Sequence, residues 1–255
     1  MKRLSQAPAR HARAIAACAA IAALVSAGAA MADGPGPCAG LPTYAQLKTA
    51  LTAARSMSNG GFNLDMWGTV VNRDGLVCAV AFTGTNRGSQ WPGSRVISAQ
   101  KANTANAFSL NGLALSTANL YTAVQPGGSL FGLQESNPVE TQVAYQGPPA
   151  AWGTQSDPMV GSRIGGVNVF GGGLALYNAS RQVIGAVGVS GDSSCADHAI
   201  SWRTRNTLVL DYVPGGVGPG GVDQISFSGP WSQPHCVPGG AATEDFVVST
   251  LPATR

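Results

Sequence analysis

The alternation of apolar and polar residues predicts a helix followed by a β-hairpin near the start of the chain. Apolar positions recur at helical spacing over residues 43–57, and Thr43 is a candidate N-cap for that helix. Two strand-like runs follow, residues 66–72 and 76–83, and Arg73-Asp74-Gly75 between them is a strong turn signal. These two runs therefore predict an antiparallel hairpin.

The middle of the chain predicts further helices and then a long stretch without periodicity. Residues 94–109 are rich in Ala, Ser and Asn and contain no Gly or Pro, so we expect a long helix there. A second helical stretch is predicted over residues 113–124. Residues 126–173 are full of Gly and Pro. A loop of that length is uncommon unless it is functional or ordered by a partner.

A second hairpin and a last helix are predicted after this segment. Residues 174–177 and 182–189 are strand-like and are separated by a short polar turn. Gly191-Asp192 ends the second strand. Ser194 and Asp197 form a candidate capping box for a helix that continues to about residue 208.

This order of elements predicts one α+β domain over residues 33–213. Hairpins pair their strands antiparallel, and the helices between them must cover the sheet, because a sheet buries at least one face. We therefore expect a single antiparallel β-sheet flanked by α-helices, with profilin- or PAS-like layering. The Gly/Pro-rich segment would be a long insertion in this domain, and residues 214–255 would form an irregular tail, held by a disulfide.

The N-terminal composition is typical of a secretory signal peptide. Four basic residues in the first thirteen positions are followed by an apolar run over residues 14–25 and by Ala30-Met31-Ala32, a small-x-small cleavage pattern. We therefore expect residues 1–32 to be removed and the mature protein to be secreted or periplasmic.

The formal net charge of +3 depends on this segment. Without its four basic residues, 11 basic residues remain against 12 acidic ones, and Lys48 and Lys101 are the remaining lysines. A nucleic-acid-binding surface needs clustered Lys and Arg, so we expect no nucleic-acid partner. No apolar run reaches the roughly 18 residues that span a bilayer, so we expect no membrane span.

Four cysteines remain once Cys18 leaves with the predicted signal peptide. An even number of cysteines in a secreted chain indicates disulfides, here two with three possible pairings. We favour Cys38–Cys78 and Cys195–Cys236, because each bond ties a flexible end to a regular element. Zinc is the weaker alternative, since no two cysteines have C-x-x-C spacing.

The glycines of residues 171–191 are the densest local signal. A glycine turn that opens onto a helix offers free N–H groups to an anion, so Gly191 and Asp192 are candidate binding residues. A tight strand-to-helix turn is the structural alternative. The glycine spacing differs from that of dinucleotide-binding loops and of the hydrolase nucleophile elbow.

Two further side chains are candidates for chemistry. His198 shares a helix face with Trp202, and it is either a half-buried helix histidine or an axial ligand or general base. Lys101 stands among small residues on a helix with little other charge. It is either a solvated lysine or the partner of a flat anionic ligand.

Two stretches of the chain resemble the GlcG/HbpS-like family of haem-binding domains. One is the hairpin over residues 174–192, which ends in Ile184-Gly185-Ala186-Val187-Gly188-Val189-Ser190-Gly191. The other is residues 94–105, which look like the lysine- and alanine-rich helix of that family. The resemblance covers about residues 41–210. It implies an antiparallel sheet flanked by helices, symmetric homo-oligomers, and binding of haem or a related tetrapyrrole.

The leading hypothesis is therefore a secreted or periplasmic haem-binding protein without catalysis of its own. Haem requires an apolar slot, a basic group for a propionate and an iron ligand. Lys101 and Arg95 are the candidate propionate partners, and His198 is the candidate iron ligand, with Met66 as the alternative. Two aromatic residues of the insertion are candidates for the wall of the slot: Phe131 and Tyr145.

Two other function classes stay open. One is an enzyme acting on a small organic acid that uses the Gly191–Asp192 turn as an anion seat. It requires a pocket in which Lys101, Asp192 and His198 converge. The other is an oligomeric structural or interaction module without a ligand, whose glycine-rich loops serve only contacts between subunits.

Overall fold

Two β-hairpins build the sheet of the computed structural model, which describes residues 36–236 and 240–255. The first hairpin is β1 (Trp67–Asn72) with β2 (Val77–Phe82), and the second is β3 (Gly173–Tyr177) with β4 (Val183–Ser190). The hairpins join through β1 and β4, again antiparallel, so the strand order is β2-β1-β4-β3. The predicted single antiparallel sheet is confirmed. The predicted signal peptide, residues 1–32, lies outside the described residues.

Helices lie on both faces of this sheet. The α-helices of the described residues are α1 (Tyr44–Arg55), α2 (Ser94–Phe108), α3 (Leu133–Ser136), α4 (Thr141–Ala144), α5 (Ser194–Thr207) and α6 (Ala241–Ser249). Helices α1 and α5 share one apolar core with the sheet, and α2 shares the opposite core with it. Because both faces are covered, nearly every strand residue is buried, which explains the continuous apolar runs in the sequence. The α+β class follows.

Helix α2 approaches the sheet closely because both surfaces carry small residues. Ala99, Ala102 and Ala105 of α2 are fully buried. A Cβ at Gly188 of β4 would lie 2.0 Å from the carbonyl oxygen of Ser98 and 2.4 Å from the backbone nitrogen of Ala102. The alanine-rich helix and the glycine-rich strand therefore form one packing unit.

Helix α1 begins as predicted, whereas α5 is capped differently. Thr43 accepts the backbone N–H of Gln46, whose side chain in turn accepts the N–H of Thr43. The cap of α5 is Ser193, which accepts the N–H of Ala196 at 3.3 Å. The predicted Ser194–Asp197 capping box is wrong, because Ser194 is already helical and the Asp197 carboxylate faces the protein interior.

The predicted helix over residues 113–124 is also wrong. This segment forms two short 3-10 turns, Thr117–Leu120 and Thr122–Val124. The Asn119 side chain accepts both the backbone N–H and the hydroxyl of Ser116, at 3.0 Å and 2.8 Å. Such side-chain bonds to the backbone compete with a continuous helix.

The long insertion is ordered by the domain itself. Its short helices α3 and α4 lead to Met159 and Ile164, which are fully buried in the core beneath α2. Arg95 of α2 bonds the Asp157 carboxylate through two nitrogens, at 2.9 Å and 2.5 Å. These contacts join the insertion to α2 and to the core beneath it.

The tail packs along α5 and is not entirely irregular, because it contains α6. Arg205 of α5 forms a buried ion pair with Asp223 at 2.6 Å, and Trp202 donates its indole N–H to the carbonyl of Pro252 at 2.8 Å. The disulfides Cys38–Cys78 and Cys195–Cys236 are both present, as predicted. Within the described ranges, no helix combines the length and apolar character needed to cross a membrane.

Candidate functional site

Lys101 and Asp197 form an ion pair between α2 and α5 that is closed to solvent. The Lys101 Nζ lies 2.7 Å from Asp197 Oδ2 and donates to the carbonyl of Val189 at 3.1 Å. Lys101 is 1% exposed, so its interpretation as a solvated lysine is wrong. Burial lowers the pKa of Lys101 and raises the pKa of Asp197 to about 6, while the attraction between the two charges opposes both shifts. A haem propionate would have to compete with Asp197 for this ammonium group.

The Asp192 carboxylate accepts hydrogen bonds from the backbone N–H groups around the Gly191–Asp192 turn. It accepts the backbone N–H of Phe62 at 2.8 Å, of Leu64 at 3.0 Å and of Ser193 at 2.6 Å. A Cβ at Gly191 would lie 2.2 Å from the carbonyl oxygen of Asp65, so the turn requires glycine there. The turn thus binds a carboxylate of its own chain where the sequence suggested a seat for an external anion.

His198 is fully buried and neutral. Its Nε2 accepts the backbone N–H of Ile225 at 3.1 Å, which assigns the ring proton to Nδ1. Within the described part of the chain, Nδ1 has no hydrogen-bond partner. Burial lowers the pKa of His198 to about 3. Neither ring nitrogen offers a free lone pair, so binding an iron ion would require Ile225 to move.

The remaining sequence candidates are dispersed over the molecule. Arg95 is buried in its bonds to Asp157, and its guanidinium lies 4.5 Å from the centre of the Trp152 ring. Met66 is fully buried in the core beneath α1 and α5. Phe131 and Tyr145 are exposed on the insertion. The structure brings Lys101, Asp192 and His198 to one end of α5, and it places the other candidates elsewhere.

A cavity of about 380 Å³ lies beside the Asp192 turn. Its lining comes from the end of α1, the loop that follows and α5, and includes Arg55, Met57, Leu64 and Asp192. Neither Lys101 nor His198 lines it. The three side chains that the small-acid enzyme hypothesis requires therefore do not share this cavity.

An open apolar groove of about 430 Å³ adjoins this cavity, and both are lined by Leu64. We call it the Phe62–Trp91 groove. Its six lining residues come from the loops after α1 and before α2: Phe62, Leu64, Gly88, Ser89, Gln90 and Trp91. The rings of Phe62 and Trp91 meet edge to face, with centroids 5.9 Å apart, and are 59% and 51% exposed. Two exposed aromatic rings in contact form a surface suited to a flat apolar ligand.

Arg87 is the basic residue nearest in sequence to the residues that line this groove. It precedes the lining residue Gly88, its side chain is exposed, and its guanidinium lies 5.5 Å from the Trp152 ring centre. The Ser89 hydroxyl lies 2.7 Å from the carbonyl oxygen of Asn86 and 3.2 Å from a carboxylate oxygen of Asp65. Sequence reasoning did not single out this groove. The available signal was an aromatic residue, Trp91, in an otherwise polar loop.

Comparison with known proteins relates the chain to one family. The model of the family described as "Haem degrading protein HbpS-like" matches residues 43–204. No curated protein matches the chain significantly. Among solved structures, the Klebsiella pneumoniae protein ORFY, of family DUF336, is 25% identical with a TM-score of 0.43 and covers 64% of this chain and 86% of its own. PduOC, solved as a haem complex, is 22% identical with a TM-score of 0.44 and covers 64% and 89%. The family match spans well over half of the chain, which therefore belongs to the HbpS-like family of haem-degrading proteins.

Proposed function

We propose that this protein binds haem in the Phe62–Trp91 groove. Membership of the HbpS-like family supports haem as the ligand. The observation that supports this location is the exposed pair of rings on a groove of about 430 Å³, a volume within the usual range of small-molecule sites. The buried candidates lack such access, since Lys101, His198 and Met66 are closed to solvent.

The residues of the groove suit the different parts of haem. Phe62 and Trp91 offer apolar contact to the porphyrin, and Arg87 offers a cation for a propionate. Met57, whose side chain is exposed, lines the adjoining cavity, and its thioether is an accessible soft ligand for iron. Bound haem would supply an iron centre.

The proposal includes export and binding without catalysis. The signal-like sequence of residues 1–32 supports a secreted or periplasmic location. The six lining residues of the groove carry no acidic or basic side chain, which favours binding over proton-transfer chemistry there. The N-terminal residue of the exported protein is expected to be Asp33.

Assembly into a homo-oligomer is part of the same proposal. Light scattering is expected to give a mass that is a multiple of the mass of one chain.

Titration of the purified mature chain with haemin tests haem binding. We expect a saturable, sharpened Soret band at about one haem per chain. A spectrum no different from that of free haemin, or one that an unrelated protein reproduces, would exclude the proposed function. Persistence of the Soret band after addition of a reductant in air tests the absence of catalysis. Faster loss of the band than for free haemin would contradict that part of the proposal.

A further inference from the structure

The disulfide between α5 and the tail lies beside two other side chains of the kind that bind metal ions. Cys195 is in the first turn of α5, and Cys236 is in the tail. Their sulfur atoms and a carboxylate oxygen of Glu244, on α6, all lie within 4.8 Å of one another. His235 Nδ1 lies 2.7 Å from Glu244 Oε2. Thiolate, carboxylate and imidazole groups are the ligands that zinc takes in proteins.

Hydrogen-bond donors already surround the two sulfur atoms. The Cys236 sulfur accepts the backbone N–H of Cys195 at 3.0 Å and the side-chain amide of Gln233 at 3.3 Å, and it contacts the Ser194 hydroxyl at 3.1 Å. The Gln233 amide also lies 3.4 Å from the Cys195 sulfur, and its oxygen is fixed by the N–H of Gly171. Such donors, together with the N-terminus of α5, stabilise negative charge on sulfur.

We propose that reduction of this disulfide creates a zinc site formed by Cys195, Cys236 and Glu244. A tetrahedral ion with Zn–S bonds of about 2.3 Å places two sulfurs about 3.8 Å apart, so a small shift of the tail completes the spacing. His235 orients the Glu244 carboxylate through their hydrogen bond. Water occupies the fourth position.

The chemistry balances with a dithiol as the reductant. The dithiol transfers two electrons and two protons to the protein disulfide and becomes a disulfide itself, which leaves two protein thiols. Zn²⁺ then replaces both thiol protons, which pass to solvent, and Glu244 binds as a carboxylate. The tail is therefore held on α5 by a sulfur–sulfur bond under oxidising conditions and by a metal ion under reducing ones.

The second disulfide serves as an internal control. The Cys78 sulfur lies 3.6 Å from the backbone carbonyl of Leu76. A backbone carbonyl is not one of the usual zinc ligands, which are thiolate, imidazole and carboxylate groups. Across residues 36–236 and 240–255, the set of Cys195, Cys236 and Glu244 is the one group of three or more such ligands brought together. Cys38 and Cys78 are therefore expected to stay free thiols after reduction.

The test compares zinc binding by the oxidised and the reduced chain. The protein is reduced with dithiothreitol, desalted, mixed with zinc chloride and desalted again, and its zinc content is measured. Free thiols are then alkylated and located by mass spectrometry. We expect about one zinc per reduced chain, none for the oxidised chain, and protection of Cys195 and Cys236 alone. No retained zinc, equal zinc in the oxidised chain, or protection at Cys38 and Cys78 would overturn the proposal.

Two substitutions separate a folded site from thiols in an unfolded chain. Glu244→Gln is expected to lower zinc affinity at least about 10-fold. Glu135→Gln makes the same change at an exposed carboxylate on α3, outside this group of ligands, and is expected to bind zinc like the wild type. Circular dichroism monitors folding of each reduced protein. Equal affinity in the Glu244→Gln variant and the wild type would mean that the thiols alone bind zinc, and the proposal would fail.

Discussion

Lys101 of α2 and Asp197 of α5 meet at 2.7 Å at the end of the sheet where β4 ends and β3 begins. The glycines beside them make this approach possible, because a Cβ at Gly172 would lie 3.1 Å from the Cβ of Asp197 and 3.2 Å from the Lys101 Nζ. The two helices lie on opposite faces of the sheet, so this ion pair connects the two layers directly. A lysine that the sequence offered as a ligand contact is thus part of the interior.

Loss of the Lys101 charge is expected to destabilise the fold. Lys101→Met leaves the Asp197 carboxylate buried without its cation, which costs about 3 kcal/mol or more of the free energy of unfolding at pH 7. Adding Asp197→Asn removes the second charge but keeps an acceptor for the Asp192 N–H, so about half of the loss should return. Urea unfolding of the two variants measures both effects. Equal stability of Lys101→Met and the wild type would contradict the assigned pairing.

The same variants distinguish the two locations considered for haem. If haem lies in the Phe62–Trp91 groove, the doubly substituted protein should bind haemin with wild-type affinity. If Lys101 binds a propionate, affinity should fall in both variants. Haemin titration under conditions in which circular dichroism shows folded protein makes this comparison.

His198 is expected to make the fold sensitive to acid. Its pKa is about 3 in the folded protein, well below its ordinary value of 6.5, because burial disfavours the charged ring. The unfolded chain therefore binds more protons between these pH values, and the stabilisation present above pH 6.5 is lost as the pH falls towards 3. Asp197 opposes this trend over part of the range, because its pKa is raised to about 6.

The variant His198→Gln isolates this contribution. Its side-chain oxygen can still accept the Ile225 N–H but does not titrate. Between pH 7 and pH 4, the wild type should lose at most about 3 kcal/mol more unfolding free energy than the variant. Urea unfolding at the two pH values measures the difference. An identical pH dependence would show that His198 is not buried as a neutral ring.

Much of the fold was predictable because it depends on local patterns. The hairpins follow from apolar runs on either side of turn residues, and the cap of α1 follows from Thr43 and Gln46. The errors arose where side chains bond the backbone or a distant partner. Asn119 breaks the predicted helix, and Asp197 faces Lys101 instead of capping α5. Neither contact has a signal in residue spacing.

The candidate site was predicted less well than the fold. The sequence identified Lys101 and His198 by residue type and periodicity. Lys101, however, lies on a helix face of small residues and His198 on a helix face with an aromatic residue, and both side chains are buried. Burial of a polar side chain depends on tertiary partners such as Asp197 and Ile225, which pattern does not reveal. The Phe62–Trp91 groove is formed by two loops that are separated in sequence by β1 and β2, so no local motif predicts it.

Because α2 packs closely on β4, we expect that replacing Gly188 by any larger residue destabilises the fold. Gly188→Ala forces a methyl group to within about 2 Å of the Ser98 carbonyl, so α2 must move, at a cost of at least about 2 kcal/mol of unfolding free energy. Gly112→Ala is the matched control, since no atom lies within 4 Å of its added Cβ. Thermal unfolding compares the two variants. A Gly188→Ala protein as stable as the Gly112→Ala protein would contradict the packing of α2 on β4.

Haem binding in the groove is expected to depend on its two exposed aromatic side chains. Phe62→Ala and Trp91→Ala should each weaken haemin binding at least about 10-fold, because each removes one of the two rings that form the groove. Arg87→Ala should weaken binding less, since an exposed charge pair contributes little in water. Because these three side chains are exposed, the unfolding free energy should change little.

Phe131→Ala is the control for these substitutions. Phe131 is a similarly exposed aromatic residue, but it lies on the insertion and is not among the six residues that line the groove. Haemin affinity is measured by the Soret band for all four variants and the wild type. If Phe131→Ala weakens binding while Phe62→Ala and Trp91→Ala do not, the insertion forms the haem slot, as its aromatic residues first suggested, and the groove is excluded.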